Sequence, residues 1–125
     1  MKSKVTHFEI PAVNLERAQK FYGDIFGWTF NPYDDDYVMV TASECDDLGA
    51  PIEYGTINGG LQRKGPRAQT PTIVISVENI DTALKKIIEL GGKVVIQKEM
   101  MGDMGSYAQF EDPEGNRLGL FEVDV

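Results

Sequence analysis

At 125 residues and 42% hydrophobic content, the chain has the size of one domain and enough apolar side chains for a real core. Lys and Arg number 12 against 20 Asp and Glu, a net charge of -8, which argues against nucleic acid or an anionic membrane as partner. Cys45 is the single cysteine, so no intrachain disulfide can form. The N-terminal MKSKVTHFEIP has no apolar run of signal-peptide or membrane-span length, and a cytoplasmic protein is expected.

In chain order, Lys4 to Ile10 reads as a strand, with Val5, His7 and Glu9 on one face and Thr6, Phe8 and Ile10 on the other. Asn14 is a good N-cap for a helix whose apolar stripe is Ala18, Phe21, Tyr22 and Ile25, and Gly27 stops it. A second strand begins at Trp28 to Phe30, Asn31 to Asp36 is a turn rich in breakers, and Tyr37 to Thr41 is a third strand. Ser43 to Pro51 is a loop, and Glu53 to Leu61 a fourth strand. Thr72 to Val77 opens the same sequence of signals again. Asn79 caps a helix carrying Ala83, Leu84, Ile87 and Leu90, and Gly91-Gly92 ends it. Strands follow at Lys93 to Gln97, Tyr107 to Glu111 and Arg117 to Val123. A methionine-bearing loop, Lys98 to Ser106, and the turn Asp112-Pro113-Glu114-Gly115 separate them.

The two halves are copies. Shifted by 65 residues, His7 to Gly27 lands on Thr72 to Gly92 without a gap: Ile10 meets Ile75, Asn14 meets Asn79, Ala18 meets Ala83, Lys20 meets Lys85 and Gly27 meets Gly92. Strand, cap, helix and stop all recur, so the chain reads as βαβββ twice. Module one spans 1–62, a linker 63–71 and module two 72–125.

A βαβββ repeat with His7, Asn14-Leu15, Phe21-Tyr22 and Phe26-Gly27-Trp28 in its first half, and FEDPEGNRLGLFE closing the second, resembles the vicinal oxygen chelate superfamily. That group includes glyoxalase I, extradiol dioxygenases and the fosfomycin- and bleomycin-resistance proteins. The resemblance covers nearly the whole chain. It implies an α+β fold, glyoxalase-like, in which two tandem βαβββ modules form a curved mixed sheet around a cavity, and it implies a homodimer. Alternation divides the strand residues. Phe8, Ile10, Ile73, Ile75, Val77, Ala108, Phe110, Leu118 and Leu120 should lie under the helices. His7, Glu9, Thr72, Val74, Tyr107, Gln109, Arg117, Gly119 and Phe121 should face the cavity.

In metal-bearing relatives, the resemblance implies one ligand from the first and one from the fourth strand of each module. Here His7 matches one such position. Thr72 stands where a second imidazole is common, Gly119 where a carboxylate is usual, and Asn58 to Gly60 offer no carboxylate. A divalent metal needs three or four convergent donors, so no metal or other cofactor is expected. Two functions remain open. One is a module binding a small molecule in the cavity, with Thr72, Tyr107, Gln109 and Arg117 as its lining. The other is a glyoxalase-related lyase or isomerase using His7 or Glu9 for proton transfer on a small oxygenated metabolite. His7 and Glu9 also have plain readings, as a satisfied histidine and a carboxylate hydrogen-bonded across the sheet.

Overall fold

The computed structural model describes residues 2–48 and 50–123. Its elements are β1 (Lys4–Ala12), α1 (Leu15–Phe26), β2 (Thr29–Asp34), β3 (Tyr37–Thr41), β4 (Asn58–Arg63), β5 (Thr72–Ser76), α2 (Ile80–Glu89), β6 (Lys93–Met100), β7 (Gly105–Glu111) and β8 (Arg117–Val123). This is βαβββ twice, an α+β fold. By contacts the chain divides into two compact units, His7–Pro71 and Thr72–Val125, the latter together with Met1–Thr6.

In the first unit the strand order is β2-β3-β4-β1, with β1 parallel to β4 and the other pairs antiparallel. The Asn14 side chain accepts from the Arg17 amide at 2.9 Å and starts α1. Gly27, at φ 72°, ends it by donating its amide to Gly23. A cap of this kind contributes about 1 kcal/mol. Leu15, Val38, Val40 and Leu61 form the buried core, and Phe8, Ile10, Ala18, Tyr22, Trp28 and Phe30 pack around it. The helix stripe is therefore narrower than its sequence suggests. Phe21 and Ile25 are 62% and 61% exposed, because Leu15, Ala18 and Tyr22 already turn the core-facing side of α1 to the sheet.

Two boundaries in this unit move. β2 runs through Asn31 and Pro32 into the expected turn. Within the described residues it pairs with β3 alone, an edge position that tolerates a proline, and a bulge between Pro32 and Asp34 absorbs the irregularity. β4 starts only at Asn58. The preceding residues turn instead, with the Glu53 carbonyl accepting from both the amide and the hydroxyl of Thr56.

The second unit repeats the plan as β5-β8-β7-β6, with β5 parallel to β8. Asn79 accepts from the Thr82 amide at 2.9 Å, and the Gly92 amide closes α2 on the Ile87 carbonyl. Ile80, Leu84, Ala108 and Leu120 are its core, with Ile75, Val77, Ile87, Val94 and Phe110 packed on them. Ile73 departs from the expected face pattern: it is 45% exposed, at the start of β5 and outside this core. Leu118 is half-buried and likewise outside it. β6 extends to Met100 across two register shifts, so the expected methionine loop shrinks to Met101 to Met104. Asp112 accepts from the amides of Glu114 and Asn116 and fixes the last hairpin. The Asn116 bond, first among these, holds its carboxyl below the usual carboxylate range.

Leu120→Ala should therefore lose roughly 2–5 kcal/mol of unfolding free energy by chemical denaturation, whereas Ile73→Ala should lose less than about 1 kcal/mol. Equal losses at the two positions would overturn this account of the second core.

Candidate functional site

Strand alternation puts Phe8 and Ile10 under α1 and leaves His7 and Glu9 on the opposite face of β1. On β3 the same division puts Val38 and Val40 in the core and Tyr37 on the side of His7 and Glu9. The Tyr37 phenol joins the two groups. His7 Nε2 lies 2.8 Å from its oxygen, and its hydroxyl donates to Glu9 Oε2 at 3.2 Å. A phenol has one proton. With that proton given to an ionised Glu9, its oxygen accepts from the imidazole, an assignment that puts the hydrogen on Nε2 and leaves the lone pair on Nδ1. Glu9 is buried and His7 nearly so. Burial pushes the His7 imidazole down to about 4, which keeps it neutral at pH 7.

The space for Tyr37 exists because residue 60 is glycine. A Cβ built there would run into the Tyr37 ring and hydroxyl. The Asn58 amide, two residues earlier, is committed elsewhere: its Oδ1 accepts from the amides of Ala42 and Ser43 at 2.8 and 3.0 Å, and its Nδ2 lies 3.0 Å from Cys45 Sγ.

The second unit repeats this arrangement. Tyr107 leans over Gly119, and a Cβ at Gly119 would stand 3.0 Å from its ring and hydroxyl and 3.1 Å from Val74 Cγ2. In both units the tyrosine precedes by two residues the one that faces the glycine: Met39 faces Gly60 and Gln109 faces Gly119. Gln109 Nε2 donates to the Tyr107 hydroxyl at 3.0 Å, and both side chains are buried. Thr72 and Arg117 are half-buried, each two residues before the paired Val74 and Gly119, hence at the same end of their parallel strands.

The sequence reading thus found His7 and Glu9, which the structure joins, and Tyr107 and Gln109, which it also joins. It missed Tyr37. The signal was present, since both predicted third strands open on a tyrosine. It lay outside the 65-residue alignment because Tyr37 and Tyr107 are further apart than that shift.

Comparison with known proteins gives a consistent family of likenesses. Residues 4–43 match the family described as bleomycin resistance protein-like N-terminal. "Putative glyoxylase CFP32" of Mycobacterium tuberculosis is 26% identical over 93% of this chain, and the chain spans 44% of that relative's length. A glyoxylase-like domain-containing protein of Didymella fabae is 27% identical, over 93% of this chain and 91% of the relative. Among solved structures, Streptomyces coelicolor methylmalonyl-CoA epimerase in complex with 2-nitronate-propionyl-CoA has a TM-score of 0.68 at 14% identity, covering 100% of this chain and 97% of that one. At that identity the likeness is one of fold.

His7 makes stability depend on pH. Above its ordinary value of 6.5 the imidazole is neutral in both the folded and the unfolded chain. Between 6.5 and about 4 the unfolded chain takes up a proton that the folded one refuses. Stability should therefore fall as pH drops through that window, by up to roughly 3 kcal/mol. Urea unfolding at pH 7, 5.5 and 4 checks this. His7→Asn should flatten the acid-side loss, and an unchanged slope in that variant would assign the loss to other groups.

Proposed function

Because the chain belongs to the vicinal oxygen chelate superfamily, we propose that it binds a small organic molecule through the polar faces of its modules and does so without the metal that many of its relatives hold. The observation that carries this reading is the pair of tyrosines over glycines, Tyr37 on Gly60 and Tyr107 on Gly119. Relatives that hold a metal take carboxylate ligands from fourth-strand positions of this kind. Here a phenol from the third strand fills the space instead. A transition-metal site needs three or four donors converging at about 2.0–2.2 Å. His7 Nε2 is engaged by Tyr37, Thr72 offers only a hydroxyl, and Gly60 and Gly119 offer no side chain. A carboxylate placed at residue 119 would first have to displace Tyr107. The residues present do not fit the standard ligand set.

What remains suits recognition of a neutral or anionic oxygenated molecule. In the first unit a neutral imidazole and the Tyr37 phenol stand beside the Glu9 carboxylate, and in the second the Tyr107 phenol and the Gln109 amide are hydrogen-bonding groups without net charge, each face recognising oxygenated groups on its own. The match of residues 4–43 to a bleomycin resistance-like family supports a binding role. A second reading, proton transfer, draws support from the His7–Tyr37–Glu9 chain, which links an imidazole to a carboxylate through a phenol.

A thermal-shift screen of small oxygenated carboxylates and conjugates, followed by titration calorimetry on the hits, tests the proposal. Tyr37→Phe should weaken binding about tenfold, about 1.4 kcal/mol, and a chelator should leave it unchanged. Ligand recovered unaltered supports binding, and a steady product supports proton transfer. Stoichiometric chelator-resistant metal, or hits indifferent to Tyr37→Phe, would overturn the proposal.

The same reading takes the protein as a homodimer, for which exposed Phe21, Ile25 and Phe26 on α1 supply an apolar surface. Light scattering should give twice the chain mass of 13.9 kDa at high micromolar concentration. A monomer mass there rejects it.

A further inference from the structure

On the helix side of the second unit, a groove of about 850 Å³ runs between α2, β5 and the N-terminal segment from Lys2 to Thr6. Its floor is apolar, built from Ile75, Ile87 and Leu90. Ile75 and Leu120 face α2 here, whereas Val74 turns to Tyr107 and Gly119 on the opposite face, so the groove is separate from the polar face of its own unit.

Its rim reverses the sign of the chain. Acids outnumber bases 20 to 12 overall, yet Lys2, Lys4 and Lys86 line the groove against one acid, Glu78. None of the three ammonium groups pairs with a carboxylate among the described residues. Leu90 is 70% exposed at the groove and Ile87 half-buried, so apolar surface is left in water beside these cations. Apolar floor and cationic rim together complement one chemistry: an aliphatic chain that ends in an anion. The chain covers the floor, which is favourable by about 25 cal/mol per Å² of apolar surface removed from water. The head reaches lysines that stand exposed at the rim, so little of their hydration has to be given up.

We propose that this groove binds an amphipathic anion, an alkyl chain with a carboxylate or phosphate head, with Lys4 and Lys86 holding the head. Calorimetric titration of the full chain with decanoate, decyl phosphate, decanol and acetate tests it. Decanoate or decyl phosphate should bind one to one, and the tighter of the two identifies the head group. Decanol and acetate should each bind at least tenfold more weakly, because each lacks one half of the complementarity. Lys4→Glu with Lys86→Glu should weaken the anion tenfold or more, and raising salt from roughly 50 to 500 mM should weaken it in the unaltered protein but little in the variant. Both positions are exposed, so the fold should survive, and circular dichroism checks that it does. Decanol binding as tightly as decanoate, acetate binding as tightly as either, or indifference to the double substitution would overturn the proposal. So would light scattering that shows a dimer dissolved by the double substitution, since a second copy of the chain would then be the occupant.

Discussion

The constraint on which the polar faces depend is the closeness of two strands. Where β3 lies beside β4, and β7 beside β8, a fourth-strand residue with no Cβ lets a third-strand tyrosine lie flat across it. Glycine and phenol imply each other. Any larger residue at position 60 would drive Tyr37 away and leave His7 and Glu9 without the group that joins them. At both fourth-strand positions the space that a side chain would occupy is given over to packing, and the phenol that fills it brings a hydrogen bond to each face.

The helices perform the complementary task. Each starts at an asparagine cap, α1 stops at Gly27 and α2 at Leu90 just before Gly91, and each buries a short stripe on one face of its sheet. With Phe8, Ile10, Val38 and Val40 claimed by that face in the first unit, the alternate residues of β1 and β3 turn to the other. His7 and Glu9 are therefore neighbours on the free face as a consequence of Phe8 and Ile10 being anchored. The low affinity of His7 for a proton follows from the same crowding, since its surroundings exclude the water that would solvate an imidazolium.

Much of this could be read from the residues. The duplicated strand-cap-helix-stop signal located β1, α1, β5 and α2 to within two residues, because caps and stops are local chemistry. The strand faces were legible for Phe8, Ile75, Phe110 and Leu120, where alternation and core packing agree. Legibility failed where tertiary context overrides local preference. Pro32 lies in a strand because of how β2 is paired, and Glu53 lies outside one because its carbonyl is captured by Thr56. Ile73 looks like core in the sequence and is largely exposed, since nothing in its own strand records where the helix ends its coverage. Tyr37 was invisible as a site residue for a different reason: its role rests on the absence of a side chain at Gly60, some twenty residues away, and an absence leaves no motif.

The proline in β2 also bears on how copies of the chain can meet. Of the described strands β2 pairs with β3 alone and β6 with β7 alone, so each could in principle accept a further strand. Neither is a good template. Pro32 lacks an N–H, a bulge follows it, and Asp34 to Asp36 crowd the end with negative charge. β6 is broken by two register shifts and carries Lys93, Lys98 and Glu99. Growth by strand addition, the route to fibrils and to sheet-extended dimers, is thus discouraged at both ends. Any contact between copies of this chain would then run through side-chain surfaces, where recognition is set by shape and charge and saturates once the surface is covered.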